Sequence, residues 1–133
     1  MGIASLDVWA ILVSSVSAFL IGWLWYGPLF GKAWQKANAL TDEAIAQSNL
    51  PLIFGGSFVL MVLAAVSLAM FIGKEADWSF GLFAGAMTGV FFVSTFLGVL
   101  YLFERKPLGL YLINAGYCSV TFAVMGLILG AWR

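Results

Sequence analysis

The chain has 133 residues, of which 63% are hydrophobic and 9% are charged, and its mean hydropathy is +1.05 with a net charge of zero. Soluble domains are about 45–50% apolar and about 25% charged, so this composition predicts an integral membrane protein. The absence of histidine and the single cysteine, Cys118, exclude histidine-ligated metal sites, an intrachain disulfide and a Cys-x-x-Cys redox pair, and the zero charge gives no reason to expect a nucleic-acid partner.

Four charge-free stretches follow one another along the chain and predict four membrane-spanning helices. They cover approximately residues 8–27, 50–73, 78–103 and 107–132. Each reaches the length of about 20 apolar residues that a helix needs to cross the hydrocarbon core of a bilayer. Residues 1–133 are therefore predicted to form a single transmembrane domain of the all-α class, an integral membrane four-helix bundle with short hairpin loops.

The first loop, covering residues 29–48, is predicted to form a helical elbow in the membrane interface. Pro28 favours a break at the end of span 1. Apolar residues then recur at helical spacing, with Lys32 and Lys36 on the opposite face, as in a helix that lies on a membrane surface. These apolar residues are Phe30, Ala33, Trp34 and Ala37. Thr41 is a candidate cap for a further turn before span 2.

Small residues at four-residue spacing predict where the spans pack against one another. In lipid, apolar side chains gain little by meeting, so close backbone approach through small residues becomes important. The stripe residues are Ala10, Ser14, Ala18 and Gly22 in span 1, Gly81, Gly85 and Gly89 in span 3, and Gly126 and Gly130 in span 4. The spacing leaves open whether a stripe faces a second copy of the chain, and we expect a homo-oligomer.

The distribution of basic residues predicts the orientation in the membrane. An even number of spans places both termini on one side, together with Lys74 and Arg133. The opposite side has Lys32, Lys36, Arg105 and Lys106. Because cytoplasmic loops carry the excess of Lys and Arg, both termini are predicted to be non-cytoplasmic.

The polar residues within the spans are hydroxyls, one thiol and one amide, without an ionisable acid or base. Hydroxyl side chains in membrane helices are expected to bond to their own backbone. Asn114 needs partners from another helix, and its depth predicts a bond to Ser94 or Thr95 of span 3. A structural bond between helices is the first interpretation, and a ligand contact is the alternative.

Two segments resemble a known family. They are residues 25–34, with the sequence WYGPLFGKAW, and residues 102–117, with LFERKPLGLYLINAGY. Together with the glycine run of span 3 they resemble the bacterial membrane family called domain of unknown function 1761, over nearly the whole chain. The family pattern has a histidine after the last tyrosine, where this chain has Cys118. The resemblance implies a short multi-span protein of the bacterial inner membrane with no established activity.

The residues of these two segments are predicted to share the inner, cytoplasmic half of the bundle. Pro28 and Gly31 fit a bend followed by a close approach of the backbone. The group is either a structural elbow or a shared binding site. Its members are Tyr26, Pro28, Gly31, Lys32, Trp34, Glu104, Arg105, Asn114 and Tyr117.

These observations predict a non-catalytic membrane protein that acts through helix packing, as a self-assembling oligomer or as an accessory subunit of a membrane complex. The expected partners are the lipid bilayer and other membrane subunits, with no cofactor and no metal. The alternative is an oligomeric channel or carrier for a small or uncharged solute, which would need a polar path through the spans. An enzyme is not expected, because no acid–base pair is present within the spans.

Overall fold

The computed structural model describes residues 6–132, and in this range the regular elements are all helical. The α-helices are α1 (Val8–Leu24), α2 (Gly31–Ala37), α3 (Asp42–Ala46), α4 (Leu50–Ile72), α5 (Trp78–Met87), α6 (Ser94–Glu104) and α7 (Leu108–Ala131). Two π-helical segments, Trp25–Leu29 and Thr88–Val93, extend α1 and join α5 to α6. The all-α prediction is confirmed.

Four of the resulting helices are long and apolar enough to cross a membrane. They are span 1 (Val8–Leu29), span 2 (Leu50–Ile72), span 3 (Trp78–Glu104) and span 4 (Leu108–Ala131). The chain is thus a multi-pass membrane protein with the predicted four-helix fold. The short helices α2 and α3 form the elbow between spans 1 and 2, and the Gln35 amide holds them together by donating a hydrogen bond to the Asp42 carboxylate at 2.8 Å.

Polar caps fix where three of the spans begin. The side chains of Asp7, Asn49 and Asp77 accept hydrogen bonds from backbone N–H groups in the first turns of spans 1, 2 and 3. Thr41 caps α3 in the same way, as predicted, by accepting from the Ala44 N–H at 3.1 Å. Such caps satisfy N–H groups that have no partner within the helix, which explains why these residues border the apolar stretches.

Span 1 continues through Pro28 and ends at Leu29, two residues beyond its predicted approximate bound. Proline has no N–H to donate and its ring clashes with the carbonyl four residues earlier. Pro28 lies in a π turn, which is wider than an α turn, and there the Phe30 N–H bonds to the Trp25 carbonyl five residues earlier at 2.8 Å. The wider turn accommodates the proline ring without ending the helix. The break comes at Phe30, and an added Cβ at the following Gly31 would lie 2.5 Å from the Tyr26 carbonyl oxygen. Glycine is required at this turn.

Span 4 lies at the centre of the bundle. It packs most extensively against span 3 and, on another side, against span 1, whereas span 2 packs mainly against span 1. The buried apolar core contains Ile11 and Ala18 of span 1, Leu68 of span 2 and Met125 of span 4. Large apolar side chains on the outside of the spans remain exposed, as expected for surfaces that face lipid.

The glycines of span 3 lie directly against span 4. An added Cβ at Gly81 would overlap the Gly126 carbonyl oxygen, and one at Gly85 would overlap the Phe122 carbonyl oxygen. Gly130 faces Gly81 from the other side, while an added Cβ at Gly89 would lie 2.7 Å from the Cα atom of Ser119. In span 1, the stripe residues Ala10, Ser14 and Ala18 are buried. The small-residue stripes therefore meet within one chain.

A groove separates spans 2 and 3, although only a short loop joins them. It has a volume of about 600 Å³, with Ala64 and Ser67 on one wall, Ala84 and Thr88 on the other and Phe122 of span 4 among its lining residues. The glycine contact draws span 3 towards span 4, and this leaves span 2 with few neighbours in span 3. We call this feature the span 2–3 groove.

Candidate functional site

Asn114 connects three spans through its amide group. The Tyr26 hydroxyl of span 1 donates to Asn114 Oδ1 at 2.6 Å, and Asn114 Nδ2 donates to Tyr101 Oη of span 3 at 2.6 Å. The predicted bond from Asn114 to Ser94 or Thr95 is wrong. Depth alone suggested those hydroxyls, but long tyrosine side chains reach the amide from helices on either side.

The two hydroxyls that sequence depth suggested have other partners. The Ser94 hydroxyl donates to the Ala115 carbonyl at 3.2 Å and lies 3.2 Å from Ser119 Oγ, so it joins spans 3 and 4 one turn away from Asn114. Thr95 bonds to its own helix, at the Phe91 carbonyl. These pairings depend on how each helix is rotated about its own axis. Counting residues from the end of a span gives the depth of a side chain but not the direction in which it points.

All four tyrosines of the chain lie around Asn114. The Tyr117 hydroxyl donates to the Ala18 carbonyl at 2.9 Å, and the Tyr111 hydroxyl donates to the Ser94 carbonyl at 3.0 Å. The rings of Tyr26 and Tyr117 meet edge to face at 5.2 Å, and those of Tyr101 and Tyr111 at 6.4 Å. We call Asn114 with these four residues the tyrosine cluster.

Two tryptophans, Trp25 of span 1 and Trp34 of the elbow, hold Tyr26 in place. The Trp25 indole N–H donates to the Ile113 carbonyl at 2.9 Å, which ties the π segment of span 1 to span 4. The Trp25 ring also lies against Gly116, where an added Cβ would come within 2.8 Å of it. Trp34 of α2 meets the Tyr26 ring edge to face at 5.9 Å. The two segments that carry the family resemblance therefore meet at this cluster.

The predicted inner-face group is only partly brought together. Tyr26, Trp34, Asn114 and Tyr117 form one connected unit, and Pro28 and Gly31 shape the turn that leads to it. The charged residues lie outside this unit. Lys32, Glu104 and Arg105 are exposed, and Arg105 ends α6 in the left-handed conformation with φ 59°.

Trp25, Tyr101 and Tyr111 lie outside the predicted inner-face group, so their part in the cluster was not predicted. The available signal was the distribution of tyrosine itself: all four tyrosines border the same end of the spans, and each carries a hydroxyl that needs a partner when buried. A buried asparagine at a similar depth supplies both a donor and an acceptor.

Most of the remaining intramembrane hydroxyls bond to their own helix, and two are buried without a partner. Ser15, Ser17, Ser67, Thr88 and Thr95 donate to carbonyls of their own helices, which confirms the expectation for these residues. Ser14 Oγ and Thr121 Oγ1 are buried without a hydrogen-bond partner among the described residues. Buried polar groups are usually paired, so these two hydroxyls are exceptions.

The tyrosine cluster can bind neutral polar groups and can join helices. Within residues 6–132, no group of three or more His, Cys, Asp or Glu side chains could hold a metal ion. The cluster consists of phenols and one amide, which exchange hydrogen bonds at neutral pH without carrying charge.

Comparison with known proteins places the chain in a family. Neither the curated proteins nor the solved structures give a match. Residues 9–130 match the family described as protein of unknown function DUF1761, and these residues include both the glycine contact and the tyrosine cluster. The chain is a member of the DUF1761 family.

Proposed function

We propose that the protein is a non-catalytic membrane protein that assembles with further copies of itself through the span 2–3 groove. The observation that carries this proposal is the groove itself, an apolar recess of about 600 Å³ between two spans that are neighbours in sequence. The small side chains Ala64 and Ala84 line its walls. Small residues let helix backbones approach closely, which is what helix association in lipid requires.

The hydroxyls in the groove favour an apolar occupant. Ser67 donates to the Leu63 carbonyl and Thr88 donates to the Ala84 carbonyl, both at 2.8 Å. Their donor protons are therefore already used. A partner that fills the groove meets apolar carbon and needs no polar group of its own.

Span 3 also carries large apolar side chains that a second copy can contact. Phe83, Phe91 and Phe96 are exposed by 59–70%. In a two-fold arrangement each subunit presents the same surface, so an exposed ring of one copy can enter the groove of the other. The small-residue stripes of the chain are already used inside the bundle, so a contact with a further helix has to use another surface, and the groove provides one.

The channel or carrier alternative has less support. The hydrogen-bonded polar groups concentrate in the tyrosine cluster, and beyond Thr121 the interior contains Ile11, Leu68 and Met125. A solute that crosses the chain would have to pass these apolar side chains. A conducting path would therefore need a space between subunits.

We further propose the bacterial inner membrane as the location, with both termini on the non-cytoplasmic side. The family resemblance supports the first part. The elbow, which carries Lys32 and Lys36, supports the second, because basic interfacial segments are favoured on the cytoplasmic side of a membrane.

Native mass spectrometry of the protein in nanodiscs tests the assembly. We expect more than one copy per particle for the wild type and a monomer for Ser67→Phe, because the new ring occupies the groove. Val59→Phe is the matched control, since Val59 is on the same helix, is 58% exposed and lies outside the groove lining. This variant should assemble normally. A monomeric wild type, a particle completed by a different membrane protein, or an unchanged Ser67→Phe oligomer would each overturn self-assembly through the groove.

A further inference from the structure

A second and larger cavity lies beside the tyrosine cluster, between spans 1, 2 and 4. Its volume is about 650 Å³, and its apolar wall includes Phe19, Phe54 and Met61. Small-molecule sites in proteins typically have volumes of roughly 300–1,000 Å³ and apolar or aromatic walls with a few polar groups. The cavity is distinct from the span 2–3 groove.

Three residues with hydroxyl groups line this cavity, and their existing hydrogen bonds show which hydroxyls can still donate or accept. The Tyr26 and Tyr117 hydroxyls already donate their protons, to Asn114 Oδ1 and to the Ala18 carbonyl. Each phenol oxygen keeps the capacity to accept. Each can therefore receive a hydrogen bond from a donor inside the cavity.

Ser57 of span 2 is the third polar group. Several intramembrane hydroxyls bond to their own backbone, as at Ser15, Ser67 and Thr88, and Ser94 bonds to span 4. Ser57 belongs to neither group, so among the described residues its hydroxyl has no protein partner. A hydroxyl in an apolar environment is stabilised by a partner, and the cavity is where a partner for Ser57 fits.

Among residues 6–132, no Lys, Arg, Asp or Glu side chain lines the cavity. A charged headgroup would therefore enter an apolar space without a counter-charge, which is strongly unfavourable. The lining favours an uncharged head that can both donate and accept a hydrogen bond, and a hydroxyl group does both.

The mouth of the cavity has an apolar surface. Trp23 is 72% exposed, and Phe54 and Ile53 are 54% and 46% exposed. These side chains belong to spans 1 and 2, whose outer surfaces face lipid. An apolar chain can enter from the bilayer without passing through water.

We propose that this cavity binds an uncharged, single-chain lipid alcohol. Its hydroxyl donates to the oxygen of Tyr26 or Tyr117 and accepts from Ser57, while its hydrocarbon chain packs against Phe19, Phe54 and Met61. This binding is separate from self-assembly, because the two recesses share no lining residue.

Photocrosslinking of the protein in nanodiscs tests the proposal. The probe is hexadecan-1-ol with a diazirine in its chain, and labelled peptides are mapped by mass spectrometry. We expect labelling at residues 53–61 that excess unlabelled hexadecan-1-ol removes. Hexadecyl methyl ether should compete about tenfold less well because it has no donor, and hexadecyl phosphate should not compete.

Two variants separate specific binding from partition into lipid. Gly27 lines the cavity and an added Cβ there meets nothing within 4 Å, so Gly27→Leu adds a side chain at the cavity wall without a clash at Cβ and should abolish the competed labelling. Gly55→Leu is the matched control, since Gly55 is equally open but does not line the cavity, and its labelling should be unchanged. Ser57→Ala should weaken competition by the alcohol about fivefold, as for the loss of one hydrogen bond.

Labelling that excess alcohol does not remove, or that persists in Gly27→Leu, would overturn the proposal. Stronger competition by the phosphate or the methyl ether than by the alcohol would also overturn it, because the head chemistry would then be wrong. Since photocrosslinking is measured on any oligomeric state, a monomeric wild type that still shows competed labelling would reject the self-assembly alone.

Discussion

Asn114 lies within a membrane span, where an amide costs free energy unless its oxygen and its nitrogen are both hydrogen-bonded. Its oxygen accepts from Tyr26 and its nitrogen donates to Tyr101, at 2.6 Å in both cases. The phenols and the amide therefore satisfy one another where no water is available. One side chain thereby fixes spans 1, 3 and 4 relative to one another.

Replacing Asn114 tests this role. Asn114→Leu should lower the thermal stability in detergent modestly, because interhelical hydrogen bonds in membranes average about 0.6 kcal/mol and two phenols lose a partner. Asn114→Asp should lower it further, since the acid must be neutralised or paired. Melting temperatures of both variants provide the measurement.

Tyr26→Phe is the control for the Asn114 substitutions, because it removes only one of the two hydrogen bonds. The double variant Tyr26→Phe with Asn114→Leu should be less destabilised than the sum of the single variants, since the two residues share an interaction. A correctly assembled Asn114→Leu protein of wild-type stability that has lost a bound ligand would instead make Asn114 a ligand contact.

At the scale of single residues, the sequence was informative where a local rule applies. Thr41 was assigned as a cap because a hydroxyl before an acidic first turn fits the free N–H groups of a helix. The partners of Asn114 could not be predicted from depth, since Ser94 and Asn114 differ in the direction that they face on their helices. Tyr101 reaches the amide through the length of its side chain.

At the scale of elements, the contact between spans 3 and 4 is the most extensive in the bundle, and their backbones approach closely at the glycines. The carbonyl oxygens of Gly126 and Phe122 occupy the space where side chains at Gly81 and Gly85 would lie. Because their backbones are so close, spans 3 and 4 gain van der Waals contacts that larger side chains would prevent.

Gly85→Leu should therefore destabilise the protein more than a typical overpacking substitution, which costs about 1–3 kcal/mol, because the side chain would overlap backbone atoms. Thermal unfolding in detergent measures the change. Gly55→Leu is the matched control, as an added Cβ at Gly55 meets nothing within 4 Å, and it should unfold near the wild-type temperature. Equal melting temperatures for both variants would contradict the packing role of Gly85.

The four spans and the elbow could be predicted because the runs of apolar residues and the positions of the charged residues are visible in the sequence itself. The small-residue spacing also indicated which face of span 3 packs closely. It could not indicate that span 3 packs against span 4 rather than span 2, because the spacing on one helix does not identify its partner helix. The π turn at Pro28 was missed because a proline near the end of a span suggests a break, while a widened turn keeps the helix continuous.

At the scale of the whole molecule, the orientation in the membrane is open to direct measurement. In a Cys118→Ala background, single cysteines replace Ser48 in the elbow, or Ser5 and Arg133, which lie outside the described residues. A membrane-impermeant maleimide should label the terminal cysteines from outside the inner membrane and leave Ser48→Cys unlabelled until the membrane is opened. Labelling of Ser48→Cys alone in intact cells would show the reverse orientation.

The central position of span 4 has a consequence for how the protein is made. Spans 1 and 3 both contact it, and it supplies Asn114 to the hydrogen bonds that join them. Span 4 is also the last of the four spans to leave the ribosome. The glycine surface of span 3 and the tyrosines of spans 1 and 3 therefore stay uncovered in the bilayer until span 4 is inserted, whereas spans 1 and 2 can pack against each other before that point.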